Sequence, residues 1–210
     1  MSALFNITEH VIDGQHIREY PRATATPDAP LKLCIKQYMP LDNPNPKPGD
    51  VTIIATHRYG FHKELYEPLW EDLLTSSNKH GARIRSIWIA GAANQGASGI
   101  LNEQDLGNDP SWYDNSRDVI HMVKHFRDQM PRPIVGTICV AFRPRFFTPL
   151  ALIEPHMTDE PPAGGGPMLV YMSNKKRDAW SSREAAIEKA GKAFKTWDPR
   201  VFELWKKFGY

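Results

Sequence analysis

The connection between Gly136 and Thr148 most limits what this chain can fold into. Strand-like runs end at Gly136 and begin again at Thr148, with only 11 residues, 137–147, between them. Two neighbouring parallel strands need a crossover of about a dozen residues or more, usually a helix. Pro144 interrupts the connection, which also contains β-branched residues that disfavour a helix: Thr137, Ile138 and Val140. We therefore expect residues 133–142 to continue as a longer strand or to be disordered.

The rest of the chain alternates strand-like and helix-like patterns, which predicts an α/β fold with a mostly parallel sheet and helices on both faces. Hydrophobic periodicity predicts strands at 31–38, 51–55 and 84–90 and helices at 64–74 and 111–130. Residues 5–20 alternate around Asp13-Gly14, which predicts an antiparallel N-terminal hairpin. Residues 91–110 have little periodicity and are predicted to form a long loop.

The C-terminal quarter has a different pattern. Residues 160–167 are rich in proline and glycine and are typical of a linker. Ser181-x-x-Glu184 is a capping-box pattern that predicts the start of a polar helix. Asp198-Pro199 predicts an N-cap and a first-turn proline for a last helix at 201–208.

Composition argues against several classes of function. The net charge is +2 and evenly distributed, which does not favour nucleic acid or an anionic membrane as a partner. No apolar run is long enough to cross a bilayer, and the first residues do not resemble a secretory signal. We therefore expect a cytoplasmic protein whose two cysteines, Cys34 and Cys139, are buried and reduced.

The candidate site follows the predicted strand at 51–55. His57, Gly60 and Phe61 come just past the carboxyl end of that strand, the edge at which open α/β sheets bind ligands. A turn there presents backbone N–H groups that stabilise an oxyanion. Two roles for His57 remain open at this point: it shapes an oxyanion loop, or it only closes a turn by hydrogen bonding.

This loop and several later segments resemble, in the same order, a fungal group of α/β-hydrolases that includes peroxisomal lipase-like and toxin-biosynthesis enzymes. The matching segments are His57 to Glu64 with Leu69-Trp70, Trp112 to Asp114 with Arg117-Asp118 and His121-Met122, and residues 150–155, 182–185 and 197–201. The resemblance covers the chain except residues 137–142. It implies hydrolysis of an ester or acyl bond in a small apolar substrate by a serine, with no metal or organic cofactor.

The chain departs from the family pattern at the nucleophile. The family carries it in a Gly-x-Ser-x-Gly elbow, whereas Gly136 here leads into residues 137–142 with no serine and no second glycine. The resemblance implies that Glu154 is the candidate triad acid, and the family's general-base histidine has no counterpart in this chain. We therefore expect an incomplete sheet and no catalytic activity, the result of a deletion or of a wrongly placed exon boundary.

The family pattern also suggests how the chain is divided. Residues 1–158 are expected to form the incomplete hydrolase core, and residues 159–210 a linker and a partial helical lid. The expected partner is a small apolar ester-like ligand, and the alternatives are a non-enzymatic binding remnant or a non-functional fragment; the oligomeric state is open. Relatives can carry a peroxisomal C-terminal tripeptide, but this chain ends in Phe208-Gly209-Tyr210.

Other residues suggest chemistry only superficially. Cys139 lies among apolar residues that raise the pKa of a thiol, so a nucleophilic role is disfavoured. Ser98 in Gly96-Ala97-Ser98-Gly99 has the composition of an elbow but is predicted to lie in a loop. His121 and His125 have metal-pair spacing without the glutamate of the zinc motif. Trp112 and Trp180 either line a substrate pocket or pack in the structure.

Overall fold

A mixed five-stranded sheet forms the centre of the protein, in a computed structural model that describes residues 3–136, 148–149, 151, 171 and 179–209. The strands are β1 (Phe5–Asp13), β2 (Lys32–Pro40), β3 (Val51–Thr56), β4 (Ile84–Ala90) and β5 (Ile134–Gly136). Their order in the sheet is β1-β2-β4-β3-β5. β2 is antiparallel to β1 and β4, whereas β3 is parallel to β4 and β5.

The helices follow the strands as α1 (Glu67–Lys79), α2 (Gly96–Leu101), α3 (Trp112–His125), α4 (Arg183–Ala193) and α5 (Pro199–Phe208). Short 3-10 helices at Lys63–Tyr66 and Arg127–Gln129 precede α1 and follow α3. The prediction of a continuous loop at 91–110 was wrong, because α2 lies within it. Within the part of the chain that is described, no helix is long and apolar enough to cross a bilayer.

Alternate residues of each strand face two separate hydrophobic cores, because successive side chains of a strand point to opposite faces. Trp88 and Ala90 of β4 pack in one core with α3 residues: Val119, Met122 and Val123. Ile87 and Ile89 of the same strand pack in the other core with α1 residues: Trp70 and Leu74. The predicted α/β architecture with helices on both faces is confirmed.

The predicted N-terminal hairpin was correct in its antiparallel character but wrong in its partner. β1 is a single strand that pairs with β2 along its whole length, from Phe5 opposite Pro40 to Asp13 opposite Lys32. The chain leaves the sheet at Gly14 instead of turning back. The next N–H, that of Gln15, donates to Asp118 Oδ1 of α3 at 2.8 Å, so a long-range contact replaces the tight turn.

The C-terminal helices begin with side-chain caps. Ser182, not the predicted Ser181, accepts a hydrogen bond from the Ala185 N–H at 3.2 Å and caps α4. Asp198 accepts from the Arg200 N–H at 2.8 Å and caps α5, as predicted. Such caps satisfy backbone donors that the first turn of a helix leaves unpaired.

Residues beyond β5 bond to that strand in a parallel arrangement. The Thr148 N–H donates to the Ile134 carbonyl at 2.7 Å, and the Ala151 N–H donates to the Gly136 carbonyl at 3.2 Å. The Gly136 N–H donates to the Pro149 carbonyl at 3.4 Å. Thr148, Pro149 and Ala151 therefore meet β5 in the order in which neighbouring parallel strands pair.

Candidate active-site loop

The loop after β3 lies at the carboxyl edge of the parallel strands, next to the loop after β4. The His57 side chain is one of the links between these two loops. The Ala92 N–H donates to His57 Nε2 at 3.0 Å, and His57 Nδ1 lies 3.1 Å from the Arg58 carbonyl oxygen. Nε2 is an acceptor, so the proton is on Nδ1 and the ring is neutral. Burial lowers the pKa of His57, in agreement with this assignment.

A tight turn carries the other two predicted loop residues. The Phe61 N–H donates to the Arg58 carbonyl at 3.1 Å, and Gly60 has a φ of +81° at the third position of this turn. Such a φ favours glycine, because a Cβ is strained there. The conformation of this turn therefore requires glycine at position 60.

Gln95, at the start of α2, holds the turn from the side of the β4 loop. The Gly60 N–H donates to Gln95 Oε1 at 2.7 Å. The Gln95 Nε2 atom is buried and has no hydrogen-bond partner among the residues that the structure describes. Both backbone donors predicted to meet an oxyanion, those of Gly60 and Phe61, are thus engaged within the protein.

A buried ionic cluster lies directly after the loop. Lys63 Nζ lies 3.1 Å from Glu64 Oε1, and Lys36 Nζ of β2 lies 3.6 Å from Glu64 and 3.1 Å from Glu67. Burial disfavours the charged form of Glu64, but the nearby Lys63 lowers its pKa. Burial likewise opposes the charge on Lys36, but Glu67 and Glu64 raise its pKa. The first turn after the loop is therefore fixed to β2 by paired charges.

Aromatic rings flank the loop on two sides. The Tyr59 ring stacks on Trp112 of α3, with centroids 5.8 Å apart. The Phe61 ring contacts Trp197, which precedes α5, with centroids 5.6 Å apart. The C-terminal segment thus packs against the loop itself.

An ion pair fixes the same segment to α1. Arg200 donates from Nη1 and Nη2 to the two carboxylate oxygens of Asp72, at 3.0 and 2.8 Å. This bidentate geometry orients α5 relative to α1. Neither Arg200 nor Gln95 was predicted from the sequence, because each contacts a residue far along the chain.

The remaining predicted residues divide into two groups. Ser98 lies in α2, not in a loop, and is buried: its Oγ accepts from the Cys34 N–H at 2.9 Å and donates to the Gly91 carbonyl at 3.3 Å. Its role is structural, as predicted. Glu154, Cys139 and residues 137–147 lie outside the described residues. Elsewhere, within what the structure describes, no three His, Cys, Asp or Glu side chains come together to hold a metal ion.

Comparisons with known proteins link the chain to fungal enzymes. No family model matches. The chain is 42% identical over 222 residues to the type I acyl-CoA thioesterase mpaH of Penicillium roqueforti, covering 99% of the chain and 51% of that protein. It is 42% identical over 218 residues to mpaH' of Penicillium brevicompactum, covering 97% of the chain and 50% of that protein.

Solved structures share the fold. The peroxisomal α/β-hydrolase Lpx1 of Saccharomyces cerevisiae superimposes with a TM-score of 0.81 at 17% identity, over 99% of this chain and 63% of that one. A thioesterase domain from the curacin biosynthetic pathway superimposes with a TM-score of 0.52 at 11% identity, over 96% of this chain and 67% of that one.

The chain differs in length from its Penicillium relatives. The chain spans about half the length of the Penicillium proteins. Within the aligned region, the match to the first of them runs over 222 positions, more than the 210 residues of this chain. That relative therefore carries residues inside the aligned region that have no counterpart here.

Proposed function

We propose that this chain, a member of a fungal group of proteins with the α/β-hydrolase fold, binds a small apolar acyl ester or thioester at the loop after β3. Because it lacks a serine elbow, it does not hydrolyse this ligand. The relation to hydrolases supports acyl chemistry as the ancestral activity. The relatives named as acyl-CoA thioesterases make an acyl thioester the first ligand to test.

The observation that carries the proposal is the parallel hydrogen bonding of Thr148, Pro149 and Ala151 to β5. These bonds make the two segments direct neighbours, so the 11 residues at 137–147 must connect them. A crossover that includes a strained elbow and a nucleophile helix needs more residues than this. The longer aligned region of the Penicillium relative supports an internal loss.

The described residues that would contact the ligand are those of the turn at the sheet edge. In a serine hydrolase the oxyanion receives one N–H from this loop and one from the residue after the nucleophile. Here the Gly60 N–H is bonded to Gln95, so a ligand oxygen reaches it only by displacing that side chain. We also propose that Glu154 is the acid of the ancestral hydrolytic site and that residues 159–210 form a linker and a partial lid.

A direct test measures folding, binding and turnover together. The purified chain is followed by thermal melting with and without an unreactive thioether analogue of an acyl-CoA. Turnover is measured with p-nitrophenyl esters and with acyl-CoA, and a fluorophosphonate probe reports an activated serine. We expect a cooperative melt that shifts upward with the analogue, and no turnover or labelling above a heat-treated control.

The other outcomes separate the alternatives. Turnover with fluorophosphonate labelling would contradict the absence of a serine elbow. A cooperative melt that no analogue shifts would contradict the binding proposal, and the absence of any melt would identify a non-functional fragment. Sequencing the transcript tests the origin of the gap: a message that reads from Gly136 into an intact serine elbow would show that the exon boundary is wrong.

A further inference from the structure

The loop after β3 is joined to the chain after β4 by a series of contacts that keep the same order along both segments. These contacts are His57 with Ala92, Tyr59 with Asn94, Gly60 with Gln95, and His62 with Gly96. Because β3 and β4 are parallel neighbours, the two segments continue side by side beyond the ends of the strands. Gln95 therefore reaches the Gly60 turn from a segment that is itself held in place.

The orientation of the Gln95 side-chain amide follows from the backbone around it. Its Oε1 accepts from the Gly60 N–H at 2.7 Å, and Nε2 in that place would set two donors against each other. The next residue, Gly96, has a φ of +51°, and an added Cβ there would lie 2.9 Å from Nδ1 of His62. Both the turn and the start of α2 therefore hold Oε1 toward Gly60 and leave Nε2 for another acceptor.

That Nε2 atom is a hydrogen-bond donor without a partner among the described residues, and it is buried. Gln95 as a residue is only half-buried and Gly60 is exposed, so the donor lies close beneath the surface of the loop. A buried donor that makes no hydrogen bond is unfavourable, and such groups are few in native proteins. The contact with Gly60 uses only the oxygen of the amide, so it does not explain why this position carries an N–H donor.

The surroundings of this donor fit a neutral, largely apolar ligand. A side-chain amide is uncharged and pairs well with a carbonyl oxygen, whereas carboxylates and phosphates are bound more strongly by charged donors. On the turn, Phe61 contributes an aromatic ring that contacts Trp197. A carbonyl group between apolar groups therefore matches both the donor and the surface next to it.

We infer that Gln95 Nε2 donates to the carbonyl oxygen of the ligand and makes the site select ligands that carry a carbonyl. This inference rests on the proposed function, since the ligand proposed there is an apolar ester or thioester at the same turn. The ligand displaces the atoms that shield Nε2 from water, and the Gly60 N–H keeps its bond to Oε1. Gln95 thus positions the turn with one end of its amide and recognises the ligand with the other.

Two small probes of nearly the same shape test the carbonyl preference. Hexyl methyl ketone carries a carbonyl where hexyl methyl sulfide carries a sulfur, which is a weak acceptor. Calorimetric titration of the full chain measures the dissociation constant of each probe. We expect the ketone to bind about 5-fold more tightly, the ratio that corresponds to a net hydrogen bond of about 1 kcal/mol. The infrared carbonyl band of the bound ketone should lie at a lower frequency than in an apolar solvent.

Gln95→Glu separates recognition of the ligand from the shape of the turn. A glutamate keeps an oxygen that accepts the Gly60 N–H, but at about pH 8 it has no N–H to donate. We expect the Gly60 amide to exchange hydrogen as in the parent chain, while the ketone loses its preference over the sulfide and its infrared shift. Gln104→Glu makes the same change at an exposed glutamine and is expected to keep both.

The outcomes separate this inference from the proposed function. Equal binding of the two probes to the parent chain would overturn the inference and leave the proposed function in place. A ketone preference that survives in Gln95→Glu would also overturn it, because another donor would then hold the carbonyl. If Gln95→Glu does not fold, the infrared band of the parent chain decides, and a band at the apolar-solvent frequency overturns the inference. If neither probe binds the folded parent chain, the proposed function fails together with the inference.

Discussion

The Gly60 N–H donates a 2.7 Å hydrogen bond to Gln95 Oε1, and this bond ties the turn after β3 to the segment after β4. Gln95→Leu keeps the size of the side chain but removes the acceptor. We expect the free energy of unfolding to fall by about 1 kcal/mol, because a backbone donor loses its partner. Urea denaturation measures the loss, and hydrogen exchange at the Gly60 amide should become faster. Gln104→Leu, at an exposed glutamine of the next segment, is the control and should leave both unchanged.

Gly60→Ala tests the conformational requirement of the same turn. An added Cβ would meet no atom within 4 Å, so the cost comes only from the φ of +81°. We expect a loss of about 1–2 kcal/mol in the free energy of unfolding. Gly191→Ala in α4 is the matched control, because its Cβ would lie 3.6 Å from Phe202 and alanine favours a helix. A gain at Gly191 without a loss at Gly60 would show that the turn is not fixed in this conformation.

His57 makes stability depend on pH. Burial lowers its pKa below 6.5 in the folded protein, so between the folded and unfolded pKa values the unfolded chain binds a proton that the folded chain does not. The contribution of His57 to the free energy of unfolding is therefore fully present above about pH 6.5, and it decreases as the pH falls toward the pKa of the folded protein. Protonation of Nε2 would also set its N–H against the Ala92 N–H.

His57→Gln should flatten this pH dependence. Glutamine keeps an acceptor for Ala92 and does not titrate. Urea denaturation between pH 5.5 and 7.5 compares the variant with the parent chain. Burial also lowers the pKa of His62, so His62→Gln is the companion variant and should remove a separate part of the slope. If the free energy of unfolding depends on pH equally in His57→Gln and in the parent chain, His57 is not a neutral ring that makes two hydrogen bonds in the folded protein.

The Arg200–Asp72 pair makes the attachment of α5 sensitive to salt. Arg200→Gln removes the bidentate contact to α1 and should expose residues 179–209 to proteases while β1 to β5 stay protected. Salt near 1 M should act in the same direction on the parent chain, because it shortens the screening length to about 3 Å and so weakens the attraction between exposed charges. Limited proteolysis with mass spectrometry reads the cleavage sites. Lys192→Gln, which breaks an exposed pair inside α4, should leave the pattern unchanged.

Local pattern predicted most of the architecture. Alternation and helical spacing located the strands around Ile54 and Ile87 and the amphipathic helices around Trp70 and Val119, because those patterns follow directly from which face is buried. The helix within the predicted loop was missed, since α2 has only six residues and too few for a periodic signal. The hairpin was misassigned because a favourable turn pair cannot reveal that Gln15 bonds to Asp118, over a hundred residues away.

The candidate site was predictable only in part. The position of His57 after a buried strand placed it at the sheet edge, but the sequence could not decide between its two roles. The structure gives it two hydrogen bonds to the backbone, at Ala92 and Arg58. Gln95 carried no sequence signal, because its partner Gly60 becomes a neighbour only when β3 and β4 lie side by side.

The parallel bonding of Thr148 and Ala151 to β5 has a consequence for how this fold changes through evolution. Because Thr148 bonds to β5, the residues on either side of the connection at 137–147 are separated only by the spacing between neighbouring strands. Lengthening such a loop from 11 residues by another 14 or so costs only about 0.7 kcal/mol of closure entropy. The junction after Gly136 is thus a site at which a whole module can be spliced in or out while the remaining strands keep their register.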